Sequence, residues 1–80
     1  MSLILRIVSP EKIVFSGNVD SVIVPGTSGA FQLLENHAPL ISSLDAGTGS
    51  YDTAEGRKEL KISGGFVEVQ NNNVSLCVEL

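Results

Sequence analysis

Turn-forming residues interrupt this chain so often that no long helix fits between them. They cluster at Ser9-Pro10-Glu11, Ser16-Gly17-Asn18, Pro25-Gly26-Thr27-Ser28-Gly29, Asp45-Ala46-Gly47, Ala54-Glu55-Gly56 and Asn71-Asn72-Asn73. A further polar break, Glu35-Asn36-His37, separates two apolar runs. Between the breaks, apolar residues never recur at i, i+3, i+4 and i+7 for the length a helix needs. Breaks at a spacing of roughly 8–12 residues or less indicate a β-sandwich or barrel instead. The 80 residues make one domain, 1–80.

The intervening segments read as short strands. Leu3, Leu5 and Ile7 fall on one face at period two. Residues 12–15 make a second strand, stopped by Ser16-Gly17-Asn18, and residues 19–24 a third. Pro25-Gly26 has the residue order of a type II turn, proline second and glycine third. Residues 30–34 and 38–44 make the fourth and fifth strands around the 35–37 knuckle, with Phe31, Leu33 and Leu40 as core anchors beneath it. Pro39 stands near the start of its strand, where a missing donor is tolerated. Residues 48–53 are polar apart from Tyr51 and read as an exposed or edge strand, while Leu60 and Ile62 share one face of the next. Gly64-Gly65, inside an extended run, signals a bulge or the close approach of another backbone. The last strand alternates most cleanly, with Val74, Leu76, Val78 and Leu80 inward and Ser75, Cys77 and Glu79 outward.

Composition closes off several functions. Net charge is −4, and the basic residues Arg6, Lys12, Arg57, Lys58 and Lys61 are too few and too scattered to track phosphates. Nucleic acid and anionic membrane are therefore poor partners. No apolar run approaches the roughly 20 residues needed to span a bilayer. One cysteine, Cys77, allows neither an internal disulfide nor a multi-cysteine zinc site.

His37 is the only histidine and the obvious catalytic candidate. Nucleophilic chemistry would need a serine or cysteine in reach and a third group to orient the ring. Ser42, Ser43, Ser63 and Cys77 stand in no recognisable nucleophile context. A structural histidine in a turn is the better reading. Asp45 and Asp52 lack the alternating acids of an EF-hand, and Gly26-Thr27-Ser28-Gly29 lacks the lysine of a P-loop. No catalytic residue, metal ligand or cofactor is assigned, and no small-molecule substrate is expected. The residues describe a binding or structural module rather than an enzyme.

The order of motifs carries more. The chain reads Phe15-Ser16-Gly17, then Val24-Pro25-Gly26 with Gly29 beyond it, then Asn36-His37-Ala38-Pro39-Leu40. Ile62-Ser63-Gly64-Gly65-Phe66-Val67-Glu68-Val69 follows, and Asn73-Val74 opens the last strand. This series resembles the N-terminal β-sandwich domain of the epsilon subunit of the F-type rotary ATP synthase, the delta subunit of mitochondria. The likeness runs over nearly the whole chain. His-Ala-Pro-Leu and Ser-Gly-Gly are specific together and weak singly.

The resemblance implies an all-β, flattened sandwich of two antiparallel five-stranded sheets. It implies a non-catalytic rotor subunit in the central stalk, packed against the gamma subunit and seated on the c-ring, peripheral on the cytoplasmic face of the bacterial inner membrane. Membrane contact would be only indirect, through the ring. Residues Thr27, Ser28, Gly29, Ala30 and Phe31, with Glu35, Asn36, His37, Ala38 and Pro39, match the ring-facing loops. Ser9, Pro10, Phe15, Gly64, Gly65, Phe66 and Glu68 are the residues assigned to gamma. Gln32-Leu33 stands where the family commonly has Gly-Ile or Gly-Val, and Glu35-Asn36 where it has Pro-Gly or Pro-Asn. Most members continue into a C-terminal pair of helices. A chain ending at Leu80 matches a short form without them, or a fragment of the longer one. The alternative function is a free-standing β-sandwich interaction domain that shares only the scaffold.

Overall fold

Alternating apolar residues can be buried only if a second layer covers them, and the chain folds over on itself to supply it. The computed structural model describes residues 3–80, which form nine strands and no helix. In chain order these are β1 (Leu3–Val8), β2 (Ile13–Val19), β3 (Ser21–Gly26), β4 (Gly29–Leu33), β5 (Leu40–Leu44), β6 (Gly47–Thr53), β7 (Gly56–Ile62), β8 (Gly64–Gln70) and β9 (Asn73–Glu79). They are hydrogen-bonded in the order β2-β1-β9-β8-β5-β3-β6-β7, with β4 on the free side of β3. The link from β5 to β3 is a single residue pair, Gly26 with Leu44. The sheet bends there, so that β2-β1-β9-β8-β5 curls over β4-β3-β6-β7.

The all-β expectation holds, but its detail changes. There are nine strands among the described residues rather than ten, joined in one continuous hydrogen-bonded sheet rather than in two separate ones. They are not all antiparallel, because β1 and β9 pair in parallel. Sequence patterning cannot show this pairing, since it joins the two ends of the chain.

The inner face is built from cross-strand rows. Val69, Val74 and Leu5 stand side by side, and so do Val67, Leu76 and Ile7. All six are at most 5% exposed. The other layer contributes Leu33, Val22 and Tyr51, which are also neighbours across strands. Burying a side chain of this size is worth roughly 1.5–3 kcal/mol. Phe15 comes down from β2 onto Tyr51, with ring centroids 4.7 Å apart and planes tilted by 48°.

Several local expectations give way to this packing. Ser16-Gly17-Asn18 does not end a strand; β2 runs through it to Val19. Pairing with β1 overrides the weak local signal, and Gly17 leaves room for the Phe15 ring. Only Asp20 then separates β2 from β3, so the chain changes layers at one residue. Pro25-Gly26 is not a turn but the end of β3, and Thr27-Ser28 makes the turn. Proline is tolerated because the β3–β6 pairing stops at Ile23. A Cβ on Gly26 would lie 2.6 Å from the Phe31 ring and 2.8 Å from the Gly29 carbonyl oxygen. The glycine is needed for close approach rather than for turning. Residues 47–53 are not an edge either: β6 lies between β3 and β7, and Tyr51 is buried. The charged β7 takes the edge, where Arg57, Lys58, Glu59 and Lys61 discourage pairing with another chain. Leu80 lies beyond the last ladder pair and is 56% exposed, not inward.

Gly65 meets the expected close approach of a backbone. Its φ is 146°, and a Cβ there would lie 2.2 Å from the Cys77 carbonyl oxygen. Gly65→Ala combines left-handed strain with overpacking against a main chain that cannot move aside. The expected loss is about 3 kcal/mol. For a domain this small that lowers Tm by more than about 10 °C, read by circular dichroism. Ala30→Gly, at an exposed position on β4, serves as the mild comparison.

One polar clip crosses the smaller layer. Asp52 accepts from Arg57 Nε at 2.8 Å, from Arg57 Nη2 at 3.2 Å and from the buried Ser21 hydroxyl at 2.9 Å. The Arg57 hydrogen bonds first, and then that from Ser21, hold its pKa below the ordinary 3.8. A carboxyl with a lowered folded-state pKa contributes stability above its unfolded pKa and loses it as pH falls through the folded value. Asp52→Asn should therefore have a lower urea midpoint than the parent at about pH 5. The gap should narrow as pH falls below the ordinary carboxylate range and through the lowered folded-state value. A gap independent of pH would show that the clip acts through packing alone.

Candidate functional site

The knuckle between β4 and β5 is a hydrogen-bonded turn in which the His37 amide donates to the Leu34 carbonyl at 3.2 Å. Asn36 occupies its third position at φ 66°, and Glu35 is not among the residues of positive φ. That is the pattern of a type II turn, which favours proline second and glycine or asparagine third. Glu35-Asn36 makes the turn that Pro-Gly or Pro-Asn would make, with a carboxylate added at its tip. His37 Nδ1–H donates to the carbonyl of Ala38 at 2.8 Å.

A second turn meets the knuckle from across the fold. Asn71 and Asn72, at φ 51° and 62°, form the two-residue connection of the β8–β9 hairpin. Two consecutive positive φ values define a type I′ turn, for which asparagine is among the favoured residues. The Asn36 amide donates to Asn72 Oδ1 at 2.7 Å, and Asn72 Nδ2 stands 3.5 Å from Asn36 Oδ1. Asn36, His37, Ala38 and Pro39 thus share one open depression with Asn71 and Asn72. The asparagine run reads as a turn in the sequence, but nothing there signals this contact, which spans 36 positions.

The other loop assigned to the ring lies elsewhere. Thr27, Ser28, Gly29 and Ala30 are exposed at the far end of β4, where the Thr27 amide donates to the Ser43 carbonyl at 3.2 Å. Five residues of strand place that end roughly 14 Å from the knuckle. Phe31, between them, rests its ring over Gly26 and is half-buried. Gln32 is exposed and Leu33 fully buried.

The outer face of the larger layer carries the second candidate surface. Ser43, Phe66, Cys77, Val8 and Ile13 succeed one another across β5, β8, β9, β1 and β2. Ile41, Glu68, Ser75, Arg6 and Ser16 form the next row. Ile41 is 72% exposed, Ile13 57%, Ile4 50% and Phe66 46%, which is unusual for one small sheet face. A shallow, mainly apolar depression at one end is lined by Val8, Ser9, Pro10, Gly65, Phe66, Cys77, Val78 and Glu79. Ser9, Pro10, Gly65 and Phe66, assigned to one partner from sequence, therefore meet. Glu68 is on the same face, in the next row, and Gly64 stands beside Glu79. Phe15 does not join them, because it turns inward to Tyr51. Ile13 and Ile41 join the surface without having been expected there. Ile41 has a signal in the sequence, being opposite in parity to the buried Leu44. Ile13 shares the parity of inward Phe15 and Val19 and reaches the outer face only through the register shift between Ile7 and Val8.

Neither surface assembles a reaction centre. The Ser42 hydroxyl donates to the Ser43 carbonyl, that of Ser43 meets Thr27, and that of Ser63 donates to the Glu79 carbonyl. None of these bonds reaches His37. No group of three or more potential metal ligands occurs among the described residues. No helix among them is long and apolar enough to cross a membrane.

Known proteins share this sequence and fold. Residues 2–80 match the family of the ATP synthase delta/epsilon chain β-sandwich domain. The ATP synthase epsilon chain of Leptospira interrogans is 44% identical over 75 residues, covering 94% of this chain and 59% of that protein. The chain thus spans about three fifths of the length of such relatives. A chain in the Euglena gracilis mitochondrial ATP synthase structure (OSCP/F1/c-ring) superposes with a TM-score of 0.90 at 20% identity, over 96% of this chain and 50% of that one. One in the central stalk and c-ring of Tetrahymena thermophila mitochondrial ATP synthase gives 0.82 at 12% identity, over 100% and 65%. On its sequence the chain belongs to the delta/epsilon β-sandwich family of ATP synthase.

Proposed function

We propose that this chain is the sandwich of a non-catalytic rotor subunit, which docks the gamma subunit on one face and the c-ring through its loops. In this role it couples proton flow to ATP synthesis without making or breaking a bond. The complex would place it at the cytoplasmic face of a bacterial inner membrane, touching the membrane only through the ring.

The observation that carries this reading is the apolar outer row Phe66-Cys77-Val8-Ile13, with Ile41 beside it, on a chain of this family. An apolar row left in water costs stability in so small a domain, and a partner's surface removes the cost. Gamma is the partner the family supplies. Phe66 is the natural anchor, being aromatic and seated at the rim of the depression. The knuckle offers a different kind of contact. It is polar, carries Glu35 at its tip and suits loops that present arginine, glutamine or asparagine. An exposed pair there is worth roughly 0–1 kcal/mol and serves register more than affinity.

Phe66→Glu should fold, since the site is exposed, and should weaken pairing with gamma from the same source. Loss of a central aromatic anchor costs about 2 kcal/mol, or roughly 30-fold in Kd. Lys58→Glu on the opposite edge strand should leave pairing unchanged. Gel filtration of the co-expressed pair and calorimetric titration read both. Normal pairing by Phe66→Glu would remove this face from the interface. Failure of the parent chain to pair with gamma at all would favour a free-standing interaction domain.

A further inference from the structure

We infer that Asn72 is a positioning residue for the 34–39 knuckle: its side-chain oxygen, carried on the β8–β9 turn, holds the knuckle in the shape that meets its partner. This rests on the reading that the knuckle faces the ring.

The turn's own hydrogen bond, from His37 to Leu34, leaves the Asn36 amide without a partner inside the turn. Asn72 Oδ1 takes that amide at 2.7 Å, and the reverse approach of Asn72 Nδ2 to Asn36 Oδ1 at 3.5 Å keeps the two amides face to face. Asn72 is itself held. Its φ of 62° is fixed by the type I′ turn, and its carbonyl accepts from the Ile4 amide at 2.8 Å. The tie therefore runs from β1 through the Asn72 main chain and side chain to the tip of the knuckle. Without it the knuckle hangs from β4 and β5 alone. A loop held before docking loses less conformational entropy when it docks, so the effect appears in affinity for the partner.

The residue type separates two roles that one substitution would otherwise confuse. Glycine adopts positive φ freely, so Asn72→Gly keeps the turn and deletes only the acceptor. Asn72→Asp keeps an acceptor oxygen for Asn36 and tolerates the same backbone.

The test uses the complete chain paired with its gamma subunit and the detergent-solubilised c-ring of the same source. In Asn72→Gly the Asn36 amide should exchange with solvent about tenfold faster by NMR. Ring affinity should fall about fivefold, the worth of one hydrogen bond. Gamma pairing should stay near the parent value, Tm should fall by no more than roughly 4–8 °C, and Asn72→Asp should restore both exchange and ring affinity. Unchanged Asn36 exchange in Asn72→Gly would overturn the inference. So would faster exchange with unchanged ring affinity, where Glu35→Lys and His37→Ala do weaken ring binding. If those two variants bind the ring as the parent does, the ring-facing reading itself falls and takes the positioning role with it.

Discussion

The parallel pairing of the first strand with the last is the contact on which the rest of the molecule depends. β1 and β9 lie at the centre of the larger layer, and their register sets Leu5 beside Val74 and Ile7 beside Leu76. The same register puts Val8 beside Cys77 on the outside. One alignment therefore builds the core and the apolar outer row together. Side chains alternate across a strand with period two, so a shift by one residue would exchange the two faces. Turn chemistry on either side cannot correct such a slip, because the two strands are joined only through the whole intervening chain.

The second constraint is the fold-over of the sheet. The chain crosses between layers four times, at Asp20, between β4 and β5, between β5 and β6 and between β7 and β8. Along the path the halves meet only at the Gly26–Leu44 pair, flanked by bonds from the Thr27 amide to the Ser43 carbonyl and from the Asp45 amide to the Pro25 carbonyl. Bending a sheet so sharply requires small residues where main chains converge. Gly26 lies under the Phe31 ring, and Gly65 lies against the Cys77 carbonyl. The bend also leaves the loops at both ends of β4 free of the core. Those loops can vary in chemistry without disturbing the packing, which suits a scaffold that presents surfaces.

Two surfaces of opposite character follow. The outer face of the larger layer carries an apolar row and a shallow apolar depression, suited to a broad contact. The knuckle is polar, small and braced by amide hydrogen bonds, suited to holding a register. The hydroxyls of Ser42, Ser43 and Ser63 are engaged with neighbouring chain rather than with His37.

Part of this architecture is legible in local chemistry alone. The breaks at Asp45-Ala46-Gly47, Ala54-Glu55-Gly56 and Asn71-Asn72-Asn73 announce an all-β chain, and alternation at Leu3, Leu5, Ile7 and at Val74, Leu76, Val78 picks out core residues. Gly64-Gly65 announces a close approach, and the motif order announces the family. These signals are local, arising from φ preferences, the strand period and residues needed within a few positions. What escapes is non-local. Tyr51 reads as the lone apolar body of an edge strand, and only the pairing of β6 between β3 and β7 buries it. Asn72 reads as a turn residue, and only the fold brings it to Asn36. Sequence by itself determined the strand class, most of the inward residues and the family. Tertiary structure alone decided strand order, the parallel closure and which outward residues share a surface, because neighbours in a folded sheet are set by register between distant segments.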